Sequence, residues 1–266
     1  MTKRFADFIA GFFAVLFCVV WLVGCQTVVS PSADAVAVLP EYTFVPDDNY
    51  LLSVEQAQAR AIENNKLLLV VLGAQWCHDS TGLAKNFSHP AMQEILKQRF
   101  ETVFVDVGYF EDKHDVAQRY GYPAYFATPT VLVVEPNSST LLNRASIPKW
   151  QAADNVPFNE FITYFQTIGQ TPPLTSANWQ LHPKLAKFSQ QQVQRLKSAF
   201  DHLRPIWRDV RTGVTEDSAE LEAVALEVWQ FRLQLQQDLE QLYQSLESTN
   251  GQSLVFPSYD KFSWQD

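Results

Sequence analysis

Cysteine is scarce in this chain of 266 residues: there are three, at positions 18, 25 and 77. Two lie within the first 25 residues, so the rest of the chain holds one thiol and cannot staple itself with an internal disulfide. Basic charge is also short. Lys and Arg number 20 against 29 Asp and Glu, for a net charge of −9. A nucleic-acid partner needs a basic footprint, and this composition argues against one. The histidines, His78, His89, His114, His182 and His202, lack metal-ligand spacing. No metal site and no cofactor are therefore expected. Internal repeats are absent as well.

The one long apolar run is at the start. Lys3 and Arg4 precede Ile9–Val23, which is almost entirely apolar. About 20 apolar residues suffice to span a membrane, so length alone leaves a span and a signal peptide both open. The run ends in Leu22-Val23-Gly24-Cys25, which resembles the lipobox of bacterial lipoproteins. That resemblance implies cleavage after residue 24, a lipid on Cys25 and membrane attachment through it. Gln26, where Asp commonly retains such proteins at the inner membrane, points to the outer membrane and a periplasm-facing domain. Removing residues 1–24 takes away Lys3, Arg4 and Asp7 and leaves 18 basic and 28 acidic side chains, a net of −10.

Residues 25–45 read as a tether, with Ser30-Pro31-Ser32 and several alanines. Residues 46–170 alternate helix and strand. Ser53 and Gln56 form a capping box before a helix over Val54–Asn64. Leu67–Leu72 is apolar enough for a central strand covered on both faces. A helix runs from Cys77 to about Phe87, and a second from Pro90 with Met92, Ile95, Leu96 and Phe100 on one face. Thr102–Val107 and Thr130–Val134 are strands, with a short helix Asp115–Tyr120 between them. Thr140–Asn143 pairs back as a hairpin, and Val156–Ile168 is an amphipathic helix. This order predicts an α/β domain.

Residues 171–183, with Pro172, Pro173 and Pro183, read as a linker, 184–250 as a helical hairpin and 251–266 as a tail. Pro205 should kink or split the first helix. In the second, Leu221, Ala225, Val228, Leu235, Leu239, Leu242 and Leu246 form an apolar stripe that Arg232 breaks. The stripe fits a hairpin packed on itself or on the α/β domain. A coiled-coil seam for a partner or for helix-mediated self-association is the alternative.

Trp76-Cys77-His78-Asp79-Ser80 after an apolar strand, with Thr128-Pro129-Thr130 opening a later one, resembles the thioredoxin-like fold. Asn86-Phe87-Ser88-His89-Pro90, Val105-Asp106-Val107 and Tyr120-Gly121 bring the chain closer to exported thioredoxin-like proteins, over about Ser53–Phe165. The resemblance implies a central mixed sheet flanked by helices and a cis-proline at Pro129 against Cys77. It also implies a groove in which Thr128 offers backbone groups to an extended partner. A cysteine on the first turn of a helix faces unpaired N–H groups and the positive dipole end, which favour the thiolate nucleophile. His78 and a Ser80 hydroxyl donating to the sulfur would add to this, Asp79 would oppose it, and Trp76 would cover one side.

Two departures set the expected chemistry. Ser80 stands where dithiol members carry the resolving cysteine, and Val71 stands where many carry a buried acid. Cys77 alone can attack a disulfide but cannot complete a two-electron reduction. Monothiol exchange or isomerase-type shuffling through Cys77 mixed disulfides is expected, with envelope protein thiols and disulfides, or a small thiol such as glutathione, as partners. The alternative is a non-catalytic binding or scaffold lipoprotein in which Cys77 is a relic.

Overall fold

The structure is a computed structural model and describes residues 42–170, 182–216, 218–249 and 254–265. The leader, Cys25, nearly all of the tether and most of the linker lie outside the described residues.

Four strands form one mixed sheet in the order β2-β1-β3-β4: β1 (Leu67–Gly73), β2 (Phe100–Asp106), β3 (Thr130–Glu135) and β4 (Thr140–Leu141). β1 pairs parallel to β2 and antiparallel to β3, and β3 pairs antiparallel to β4. Every residue from Leu68 to Leu72 is fully buried. Leu68, Val70 and Leu72 face one core, and Leu69 and Val71 face the other. That two-sided burial is what selects a continuous apolar run over an alternating one.

Helix α1 (Tyr50–Glu63) precedes β1, and α2 (His78–Phe87) and α3 (Pro90–Arg99) lie between β1 and β2. Then come α4 (His114–Arg119), a short α5 (Ile147–Trp150) and α6 (Phe158–Thr167). Most boundaries shift by a residue or two from expectation, and two of the shifts change a residue's role. α1 starts a turn early, with Asn49 rather than Ser53 at its N-cap, because Asp47 takes both the Asn49 N–H at 2.7 Å and the Ser53 hydroxyl at 2.6 Å. Phe100 opens β2 instead of closing the preceding helix. Its side chain is nonetheless buried, in the core that α3 lines.

Two long helices follow, α7 (Pro183–Arg211) and α8 (Ser218–Thr249). α7 is not split at Pro205. Pro205 is exposed, so its missing N–H faces water, while Phe200 and Leu203 anchor the helix on the inside. The hairpin packs on the α/β domain: Leu196, Phe200, Leu203, Val228, Leu235 and Leu239 share one core with Val116, Tyr125, Phe126 and Leu132. Val228, Leu235, Leu239 and Leu242 of the α8 stripe are thus buried within the chain, and Leu221, Ala225 and Leu246 pack against that core half-buried.

Beneath α7 lies His114, 1% exposed, stacked on Tyr125 at 4.3 Å and near Phe200 at 5.9 Å. Its Nδ1 has no partner among the described residues. Burial pulls its pKa down to about 4, with Asp112 acting upward and Lys197 downward. The folded state therefore holds His114 neutral, while the unfolded chain takes up a proton near pH 6.5. Its share of stability is complete above pH 6.5 and is lost as pH falls toward 4, about 3 kcal/mol over that window. Urea denaturation of the parent and His114→Phe should show that share as the difference between their stability–pH slopes from pH 6.5 to 4. Equal slopes would contradict it.

Candidate functional site

β1 ends at Gly73, and the chain turns through Ala74–Trp76 to place Cys77 as the N-cap of α2, with extended backbone (φ −90°, ψ 120°). The turn is closed by Cys77 N–H to Ala74 O at 3.1 Å, and the helix opens with Thr81 N–H to Cys77 O at 3.0 Å. β3 runs antiparallel to β1, so its first residues arrive at the same end of the sheet, with Leu72 opposite Thr130. The Thr128–Pro129 peptide just before them is cis. This juxtaposition brings Thr128 O to the sulfur, and Cys77 Sγ donates to it at 3.2 Å. Thr128 and Pro129 are buried, whereas Cys77 is half-buried.

The other residues singled out in the sequence are placed as follows. Trp76 donates its Nε1–H to Gly108 O at 2.7 Å and packs on Phe110 at 4.8 Å and Trp207 at 5.2 Å. His78 projects outward, 76% exposed, with Nε2 3.1 Å from Asp79 Oδ2. Its imidazole is paired with that carboxylate rather than with the thiol. Ser80 does not donate to the sulfur. It is fully buried, and its hydroxyl oxygen lies toward the end of β1, 3.4 Å from Ala74 N. The reason is local: residue 80 on the first turn of α2 faces the sheet, so its side chain packs inward past Gly73. A Cβ on Gly73 would stand 2.7 Å from the Ser80 oxygen. Val71 sits wholly inside apolar side chains, where a carboxylate would have no partner.

Asp79 is held by a second contact, accepting the Asp154 N–H at 3.1 Å. Gly82 permits this approach, since a Cβ there would lie 2.8 Å from Asp154 Oδ1 and 3.3 Å from its Cα.

The helical hairpin completes the surroundings. A cleft of about 560 Å³ opens over Cys77. One wall is Trp76, Cys77, Asp79 and Thr128; the other is Phe200, Trp207, Val228, Trp229 and Arg232 from α7 and α8. Leu226 and Trp229, 52% and 49% exposed, give the rim an apolar character. Arg232 donates to Phe126 O at 3.0 Å, two residues before the carbonyl that receives the Cys77 proton. Burial pulls its guanidinium down to about 10, while Cys77 and Asp79 pull it up. None of these helical residues was a candidate from sequence. The signal available was Arg232 itself, a charge set in an otherwise apolar stripe.

Chemically, the site presents one half-buried sulfur at a helix N-terminus, beside a backbone carbonyl and a cation, in an open cleft. Three residues on, the Ser80 hydroxyl is buried.

Residues 49–136 match a family model described as thioredoxin-like. Among solved structures, the chain is similar to the disulphide isomerase from Xylella fastidiosa Temecula1, at 25% identity over 46% of this chain and 95% of that one, with a TM-score of 0.42. No curated protein matches the chain. A sheet in the order β2-β1-β3-β4, a cysteine capping α2 and a cis-proline facing it agree with the matched model: the chain carries a thioredoxin-like domain, extended by a C-terminal helical region.

Proposed function

We propose that this protein performs monothiol thiol–disulfide exchange in the bacterial envelope, tethered to the membrane by a lipid on Cys25. The thioredoxin-like match and the setting of Cys77 support the chemistry; the Leu22–Cys25 sequence supports the anchor, and Gln26 the outer membrane. The observation that carries the reading is the pairing of a half-buried Cys77 Sγ, 3.2 Å from Thr128 O at the mouth of a cleft, with a fully buried Ser80.

The step balances as follows. The Cys77 thiolate attacks one sulfur of a substrate disulfide, forming a mixed disulfide and expelling the other sulfur as a thiolate. A second thiolate then attacks this bond and expels Cys77. If it comes from the same substrate, the net result is isomerisation without change of oxidation state. If it comes from a small thiol such as glutathione, the substrate leaves as a mixed disulfide with that thiol, and a second molecule of the small thiol then releases the reduced substrate and forms the small-thiol disulfide.

The test uses the lipidated protein in envelope preparations, quenched with acid and an alkylating agent. Reductant-sensitive adducts on non-reducing gels are expected from the parent and not from Cys77→Ala. Incubation with glutathione disulfide should add one glutathione to Cys77 by mass. Absence of both adducts would leave the cleft as a binding surface with an idle thiol and would end the exchange reading.

A further inference from the structure

Arg232 carries a charge that no carboxylate contacts directly among the described residues. Among the described residues it makes one hydrogen bond, to Phe126 O at 3.0 Å, and no ion pair. It is half-buried on α8 and lines the Cys77 cleft as well as a cavity of about 450 Å³ that Trp229 also lines. A guanidinium removed from bulk water without a counter-charge is costly. Its placement therefore makes sense if an anion forms next to it.

Two anions are within its electrostatic reach, Asp79 and an ionised Cys77. Asp79 already accepts the Asp154 N–H at 3.1 Å and pairs with His78 at 3.1 Å. Among the described residues the Cys77 sulfur has a single hydrogen bond, in which it is the donor, and that bond is lost when the thiol ionises. Beyond the N-terminus of α2, the thiolate then has no side-chain donor among the described residues. Phe126 O fixes Arg232 and Thr128 O fixes the sulfur, so one short backbone segment holds both. The other charged groups facing the cleft are His78 and Asp79 from α2, Arg211 from α7 and Glu222 from α8. His78, Arg211 and Glu222 are exposed and screened by solvent.

We propose that Arg232, supplied by the C-terminal hairpin, is the positive charge that stabilises the Cys77 thiolate, so that the extension is part of the reactive site. This deepens the exchange reading and gives the hairpin a chemical role beyond covering a core.

The test is the pH dependence of Cys77 alkylation by iodoacetamide in the parent, Arg232→Gln and Arg232→Lys. Arg232→Gln should raise the midpoint and slow alkylation at pH 7 about tenfold, the change expected for one unit, with an unchanged plateau at high pH. Arg232→Lys should keep most of the parent rate, which a merely structural role for the guanidinium would not predict. Should Arg232→Gln fail to fold, the parent still decides. The Arg232 side-chain NMR signal is expected to titrate with the Cys77 midpoint and to stay flat across that range in Cys77→Ser. Equal midpoints in parent and Arg232→Gln, or an Arg232 signal indifferent to Cys77, would overturn the assignment. A parent whose thiol shows the Arg232 dependence but forms no mixed disulfides would refute the exchange reading alone.

Discussion

Ser80→Cys is expected to convert the protein from a monothiol into a dithiol that reduces disulfides to completion. Neighbours three residues apart on a helical turn have Cβ atoms about 5–6 Å apart. A disulfide needs Cβ atoms about 3.5–4.5 Å apart, so an approach of about 1–2 Å at the start of the helix closes the ring. The introduced thiol would be buried as Ser80 is, shielded from outside thiols, and therefore positioned to attack the mixed disulfide on Cys77. The atoms balance within the chain: Cys77 expels the first substrate thiolate, the introduced thiolate expels the second, and the two electrons come from the new dithiol. The local cost is small. The Ala74 N–H loses an oxygen acceptor that is already distant at 3.4 Å, about 1 kcal/mol at most. With dithiothreitol as the final reductant, Ser80→Cys should accelerate insulin precipitation several-fold over the parent, in which every mixed disulfide waits for an outside thiol. The oxidised variant should show no free thiol beyond residue 25. A variant that retains two alkylatable thiols after oxidation would mean that the side chain at position 80 points too far from the sulfur.

The reactive half of this site is legible because its signals are local. An apolar run with burial on both faces, a turn and a helix start fall within Leu67–Phe87, and the structure finds β1 and α2 there. Thr128-Pro129 is also readable, since proline before a strand is a local mark. Spacing puts Ser80 on the right helix but gives it the wrong partner, because spacing shows which residues share a turn and not which way the turn rolls against the sheet. Ser53 fails as a cap for a similar reason: Asp47, outside the pattern, competes for it. The far wall of the cleft cannot be read locally at all. Arg232 meets Phe126 across 106 residues of sequence, and Trp207 meets Trp76 only once the hairpin has docked. The stripe on α8 declares an apolar face without saying what it covers.

What it covers predicts a large loss of stability from a substitution remote from the thiol. Phe200 on α7 is 1% exposed and packs among Phe110, Tyr125 and His114, with ring centroids at 5.0, 5.6 and 5.9 Å. These three neighbours belong to the α/β domain, so the cavity left by Phe200→Ala opens between the domain and the hairpin. Such truncations cost about 3–5 kcal/mol. In a chain of this size that is a drop in Tm of roughly 10 °C. If α7, α8 and the sheet form one cooperative core, the loss reaches β1: amides of Leu68–Leu72 should lose hydrogen-exchange protection by the same free energy as global unfolding. If the hairpin were a separately folding appendage, β1 protection would persist while α7 exchanged freely, and the Tm of the domain would hold. The same coupling bears on the site. Phe200, Phe110 and Trp207 all line the cleft over Cys77, so loosening this junction displaces the wall that carries Arg232. Phe200→Ala should therefore slow Cys77 alkylation at pH 7 well below its melting temperature, in the same direction as Arg232→Gln.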